Sequence, residues 1–572
     1  YHTEHEEPMA MTWDEAVAAV TGPGQVFELV TANILGNEVQ VYKNAPAHLG
    51  QVFAGARAHG DKTFLVYEDE RWSFITAMNH VDALADLLVN NYGIKKGDRV
   101  AIAMRNYPEW AVSFAAIVSV GAISVSMNSW WTSDEMEFAL QDSGSKVLIC
   151  DQQRFEVARA SCLAMGIKAL VVRATSSLPA GVDRWEQVLT LGAPHPGAEI
   201  LPDDDATILY TSGTTGRPKG AVSTHRAIIS SIMAFSSRNS ILTAYGSPPP
   251  NSGDLPPSFI LIVPLFHVTG CVPVMLSCFI AGLKLVIMFK WDVDKALEMI
   301  EREQITNFVG VPTQSWDLVN SPSFGKFDTS SLRAVGGGGA PAPASLVTKV
   351  ANSVKQGTPQ LGYGMTETNA FGPGIMGADY LSHPTSTGRS LLPMRVEVRD
   401  DHLEPVPTGE AGEIWFSGPM LIRGYWNRPD ATTEVIVDGW LRSGDIGRVD
   451  ADGFVYVEDR VKDMILRAGE NIYCAEVESA IYEHPAVHEV AVFGVPHERL
   501  GEEVAVAILP NAGATLTAQE IWDFLDGVIA KFKIPNHVAI STESLPRNAA
   551  GKFVKHELRD SAANGTLKMV SR

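Results

Sequence analysis

Residues Tyr210 to Gly220 read Tyr-Thr-Ser-Gly-Thr-Thr-Gly-Arg-Pro-Lys-Gly, and these types suit one task, the holding of an oxyanion. Gly213, Gly216 and Gly220 let the chain turn sharply and bring its amides close to a ligand. Thr211, Ser212, Thr214 and Thr215 supply four hydroxyls, and Lys219 adds a positive charge. The generic nucleotide loop GxxxxGK(S/T) is not met. Counted from Gly213, Pro218 takes the place of the second glycine and Gly220 that of the magnesium-binding hydroxyl. The stretch therefore reads as a phosphate loop of another kind. A plain linker would not concentrate hydroxyls, glycines and a lysine directly after an apolar strand.

The elements around the loop follow from hydropathy. Ala206–Tyr210 leads in as a strand, and a helix is expected from about Arg226. Upstream, strands at 99–104, 122–125, 146–150 and 168–172 alternate with helices at 110–120, 135–142 and 154–165. Asn106 and Pro108 mark one helix start, and Thr132 with Glu135 forms a capping box at another. Such alternation predicts parallel sheets covered by helices on both faces, an α/β body. Near Gly388 the texture changes to short β-rich runs (395–398, 413–417, 454–458), which suggest a small barrel or distorted antiparallel sheet. After Val461 it changes again to a compact α+β unit, with helices at 475–483 and 518–530 and strands at 489–495, 503–509 and 537–540. The expected division is 1–461, with a β-rich part from about 388, and 462–572.

Composition narrows the partners. The chain has 572 residues, too many for one core, with 45% hydrophobic and 19% charged residues, ordinary globular usage. Its net charge of −21 argues against a nucleic-acid partner or a broad anionic membrane surface. The five scattered cysteines (Cys150, Cys162, Cys271, Cys278, Cys474) form no metal-ligand spacing and read as buried or partly buried thiols of a reducing, cytoplasmic setting. No leader is expected from the acidic opening Tyr1–Glu7. Phe259–Leu283 lacks Asp, Glu, Lys and Arg, but Pro264, Gly270, Pro273 and Gly282 interrupt it. It is expected as strand, loop and buried helix, with no transmembrane segment. The reading leaves room for a homodimer.

Further motifs stand in order along the chain: Gly338-Gly339-Ala340-Pro341, Gly362-Tyr363-Gly364-Met365-Thr366-Glu367-Thr368, Ser443-Gly444-Asp445, Asp459-Arg460-Val461-Lys462-Asp463, and Pro546-Arg547 to Gly551-Lys552. With the phosphate loop they make the chain resemble the adenylate-forming superfamily of acyl-CoA synthetases, peptide-synthetase adenylation domains and beetle luciferases. The resemblance leaves out only the first ~40 residues, and implies ATP, Mg²⁺ and coenzyme A as cosubstrates or cofactor. It assigns Thr211, Ser212, Gly213, Thr214, Thr215, Gly216 and Lys219 to the phosphates, Thr366 to the α-phosphate, and Glu367 to Mg²⁺. It gives Tyr363 the adenine face, Gly338, Gly339 and Ala340 the adenine edge with Pro341 among the nucleotide-binding residues, Asp445 the ribose, and Arg460 the same ribose or the phosphate. It places His267 beside the acyl carboxylate, makes Lys552 the bridge between carboxylate and α-phosphate, and makes Lys462 the hinge. Gly469 would let the pantetheine arm pass, although Ala468 and Leu466 depart from the common pattern. A carboxylate attacking a phosphate brings two anions together, so these assignments make electrostatic sense. The glycine run 336–339 is expected to allow close approach of a ligand to the backbone.

The resulting expectation is an acid–thiol ligase of the acyl-CoA synthetase type. Around His267 and Gly336–Gly338 the expected pocket is apolar or small, which points to an apolar acid such as a medium- or long-chain fatty acid, or an aryl acid. The alternatives are an acyl-AMP ligase or aryl-acid adenylating enzyme with another acceptor, and a silent nucleotide-binding protein.

Overall fold

A computed structural model describes residues 11–211, 218–247, 253, 255–340, 342–460, 463–468, 470–548 and 551–572. The alternating region folds as expected. Strands Arg99–Ala103, Ile123–Ser126, Val147–Asp151 and Lys168–Val172 lie parallel in an eight-stranded sheet. The helix Pro108–Ser119 between the first two is buried at all of its positions. This is why its sequence shows no polar stripe. The capping box closes with the Thr132 amide donating to Glu135 at 2.8 Å, worth ~1 kcal/mol.

One strand was not legible. Lys219–Thr224 runs antiparallel to Asp205–Thr211, with Thr211 opposite Lys219, before the helix His225–Tyr245 begins. Glycine, proline and lysine mask its β character, and only its pairing on both sides makes it a strand. The expected helix at 518–530 ends at Leu525, two residues before Gly527 at φ 81°.

The second large sheet has fourteen strands. Its parallel part joins Thr63–Tyr67, Lys284–Ile287, Ser258–Leu261, Asn307–Gly310, Ala334–Gly338 and Thr358–Gly362. Thr358–Gly362 is parallel to Ala334–Gly338 on one side and antiparallel to Gly374–Met376 on the other. From there the sheet continues antiparallel through Gly388–Arg389, Phe454–Arg460, Trp440–Val449 and Gly412–Ser417. Of the two forms expected for the β-rich run, the antiparallel sheet is the one seen, continuous with the parallel sheet rather than closed as a barrel. A separate six-stranded sheet begins at Ile465–Arg467 and holds Val487–His497 against Gly501–Pro510. The N-terminal residues outside the resemblance form the helix Trp13–Thr21 and the hairpin Leu29–Ile34/Asn37–Tyr42. No helix among the described residues is long and apolar enough to cross a membrane. All five cysteines are buried free thiols.

Candidate active site

Asp445 sits on Trp440–Val449 directly opposite Arg460 on the neighbouring strand. The Tyr363 hydroxyl donates to Asp445 Oδ2 at 2.5 Å, and Arg460 Nε lies 3.4 Å from Oδ1. Burial first, then the charge of Asp445, push the Tyr363 phenol well above its ordinary range, so it stays a proton donor. Its hydroxyl fixes the carboxylate and, in return, its own plane. Glu413 steadies the turn from below, accepting from Arg442 at 2.9 Å and from the Gly444 amide at 3.1 Å. Sequence reading missed Glu413, because it lies one strand away and in no motif.

Lys219 and Glu367 meet at Tyr425. Lys219 Nζ stands 5.3 Å from the centre of the Tyr425 ring, within cation–π range, and the Tyr425 hydroxyl donates to Glu367 Oε1 at 2.7 Å. Burial and the Glu367 charge both raise the Tyr425 phenol. Tyr425 comes into place because Gly424–Tyr425 pairs with the Lys219–Thr224 strand. It too was missed, being 58 residues from Glu367 in sequence. Thr366 and Glu367 open a short 3₁₀ turn, Thr366–Thr368, which Asn369 and Ala370 leave in left-handed conformations at φ 52° and 65°. The turn is held from three sides: Ile422 amide to Glu367 carbonyl at 2.9 Å, Asn369 Nδ2 to Met420 carbonyl at 2.9 Å, and Ser231 Oγ to Asn369 carbonyl at 2.8 Å.

At the third corner, Lys552 Cε lies 3.7 Å from where a side chain on Gly339 would begin. Its loop is braced by the Arg547–Glu489 ion pair at 3.0 Å, by Arg547 donating to the Gly551 carbonyl at 2.8 Å, and by the Lys552 amide on Asn548 Oδ1 at 3.0 Å. His267 Nδ1 accepts from the Thr269 amide at 3.3 Å, which leaves the proton on Nε2. Burial, and secondly the Lys552 charge, lower the His267 pKa to about 3. The ring is thus a neutral donor beside the lysine.

That shift carries a stability signature. The unfolded chain takes up a proton near the ordinary 6.5, whereas the folded protein resists until about 3. Protonation thus favours the unfolded state across that window. As pH falls from 6.5 towards 3, the wild type loses urea-midpoint stability relative to His267→Asn. Parallel curves for the two proteins would contradict the assigned tautomer and charge.

The glycine run has a different cause from the expected one. Side chains on Gly336, Gly337 and Gly338 would strike the carbonyl oxygens of Gln360, Gly310 and Gly362 at 1.9, 1.7 and 2.3 Å. Neighbouring strands, not a ligand, forbid three of the four. Only Gly339, at φ 87°, is not crowded by a neighbouring strand; a side chain there would meet Lys552 at 3.7 Å and Val311 at 4.0 Å. Ala340 follows it in a bend. Of the other expected site residues, Thr211 ends the strand before the phosphate loop, while Ser212, Gly213, Thr214, Thr215, Gly216, Pro341, Lys462 and Gly469 lie outside the described residues.

Two family models cover most of the chain: AMP-binding enzyme over residues 52–426, and AMP-binding enzyme C-terminal domain over 476–552. The chain belongs to the AMP-binding enzyme family. Within it the chain is an AMP-forming acid–thiol ligase, with the adenylate-forming fold. It is 34% identical over 499 residues, 86% of this chain and 93% of the relative, to a long-chain-fatty-acid–CoA ligase, FadD13, of Mycobacterium tuberculosis. It is also 34% identical over 471 residues to a feruloyl-CoA synthase of an Amycolatopsis species, covering 82% and 89% of the two chains. Among solved structures it is similar to the o-succinylbenzoate CoA synthetase MenE of Bacillus subtilis with its acyl-adenylate, at TM-score 0.75, 28% identity and 89% and 98% coverage. These three relatives are named for different acids, so membership of the family leaves the acid open.

Proposed function

We propose that this enzyme is an ATP-dependent acyl-CoA synthetase. The observation that supports it best is that the short segment 363–367 carries both Tyr363, bonded to Asp445 beside Arg460, and Glu367, bonded to Tyr425 beside Lys219, while Lys552 stands next to Gly339 and acts on His267. In the first half-reaction an acid carboxylate oxygen bonds to the α-phosphorus of ATP. The bond to the bridging oxygen breaks, and pyrophosphate leaves with that electron pair. In the second, the thiol sulfur of coenzyme A bonds to the acyl carbon, AMP leaves and the thiol proton is released. Asp445 accepts from the ribose hydroxyls, a role its two oxygens suit. His267 Nε2–H orients the carboxylate, and the Lys552 ammonium draws the two anions together. Thr366 and the 212–216 loop donate to phosphate oxygens.

Mg²⁺ fits here as an ion completed by substrate phosphates. No group of three or more candidate ligands stands together among the described residues, whereas Glu367 offers a hard carboxylate with Oε1 steadied by Tyr425. When bound, the ion would neutralise charge on the phosphates. Between the halves we place a rotation about Lys462, in the short stretch between the end of the large sheet at Arg460 and the start of the six-stranded sheet at Ile465.

Pyrophosphate release over a panel of acids, with and without coenzyme A, tests the reading. The expected result is acid-dependent release with coenzyme A consumed one for one. Release without its consumption would favour an acyl-AMP ligase, and silence with every acid would end the proposal.

A further inference from the structure

The helix Pro312–Asn320 follows the strand Asn307–Gly310 of the large sheet, and its early proline suits a helix start. From this helix and the residue before it, contacts cross to the part of the chain that carries the six-stranded sheet. Val311 lies 3.2 Å from where a side chain on Gly551 would begin, next to Lys552. Arg547 Nη1 stands 3.5 Å from Thr313 Oγ1. The Trp316 ring meets that of Tyr482 at 6.5 Å, tilted by 46°. Burial raises the Asp317 carboxyl, while its bond from Trp291 Nε1 at 3.0 Å and then the charges of His488 and Arg547 lower it. The helix therefore faces Tyr482, His488 and Arg547 together.

None of these contacts is strong alone. A separation of 3.5 Å is long for a hydrogen bond, and 6.5 Å is near the outer limit for a ring pair. Among the described residues, the apolar clusters that hold Val492 and Phe493 contain no residue before Ile465. The two parts of the chain thus share no apolar core here, and a boundary of polar and ring contacts can open without exposing one. Yet the contacts bear directly on the Lys552 loop. Arg547 joins Thr313 to the Gly551 carbonyl at 2.8 Å and to Glu489 at 3.0 Å, so the helix sets the loop from outside.

We infer that the helix Pro312–Asn320 is a releasable seat for the Lys552 loop, with Thr313 and Trp316 as positioning residues for the adenylation step alone. They act through Arg547 and Tyr482. The inference rests on the acyl-CoA synthetase reading and its rotation about Lys462, and it names the surface that must part when the lysine is withdrawn.

The test follows each half-reaction of the whole enzyme in single turnovers, with an acid that releases pyrophosphate in the panel above. Acid and ATP report the first half, supplied acyl-AMP and coenzyme A the second. Thr313→Lys sets a second cation and a longer side chain against Arg547. It is expected to slow the first half about tenfold and to leave the second within about threefold. Trp316→Ala, which acts on Tyr482 instead, should give the same split at about fivefold. Thr313→Val should change little, because the contact it removes is long. Thermal unfolding is compared for every variant, and Trp316→Leu replaces Trp316→Ala if the latter unfolds early. A folded Thr313→Lys enzyme whose two halves slow equally, or whose first half is unchanged, overturns the inference and leaves the synthetase reading intact. If no acid releases pyrophosphate, the inference falls with that reading.

Discussion

Lys552→Ala will lose the pyrophosphate-releasing half of the reaction by ~10²–10³-fold, while conversion of supplied acyl-AMP and coenzyme A stays within about threefold. The asymmetry follows from where the residue stands. Its Cε stands beside Gly339, the one glycine of the run that neighbouring strands do not crowd, and its charge acts on the neutral His267. On the proposed reading its charge meets two substrate anions that exist together only before the acyl–phosphate bond forms. The loop itself is anchored by Arg547, Glu489 and Asn548, so removing the ammonium leaves its backbone support in place. Lys552→Arg should rescue little, since a planar fork does not replace a compact point charge packed against Gly339. Single-turnover measurement of each half separately decides the matter. Equal losses in both halves would mean that the lysine supports the fold and does not act on one step alone.

Glu367→Gln is expected to lower the adenylation rate by ~10²-fold and to raise the Mg²⁺ concentration needed for half-maximal rate. The amide is nearly isosteric and its oxygen can still accept from the Tyr425 hydroxyl, so the Thr366–Thr368 turn should persist. What the substitution removes is the negative charge, and with it the affinity for a hard divalent ion. A magnesium titration of the steady-state rate reads this directly. An unshifted titration with a rate within threefold of wild type would take Glu367 out of the metal-binding role.

How much of this was legible depended on whether a feature is written locally. Asp445, Glu367 and Lys552 sit in contiguous motifs, where spacing and residue type together carry the meaning. Tyr425 and Glu413 reach the site through strand pairing over tens of residues, and nothing adjacent in the chain marks them. The strand Lys219–Thr224 was hidden because half its character comes from neighbours on either side. The glycine run was located correctly and explained wrongly. Chain entropy told that four glycines need a reason, but only the adjacent carbonyl oxygens show that strand spacing is the reason for three. The Trp13–Thr21 helix was not drawn from sequence, although its Thr12–Glu15 capping box was there to be read.

The strand Thr358–Gly362 has neighbours of opposite sense on its two sides. His267 and the glycine strand lie on the parallel flank, Asp445 and Arg460 on the antiparallel one, and Tyr363 emerges at the seam. Such a seam partitions inheritance. On the proposed roles, substitutions near His267 would reshape what the enzyme accepts while Asp445 and Arg460, on strands of the other sense, keep their hold on the ribose, so one scaffold can diversify its fuel while that part of its engine stays constant.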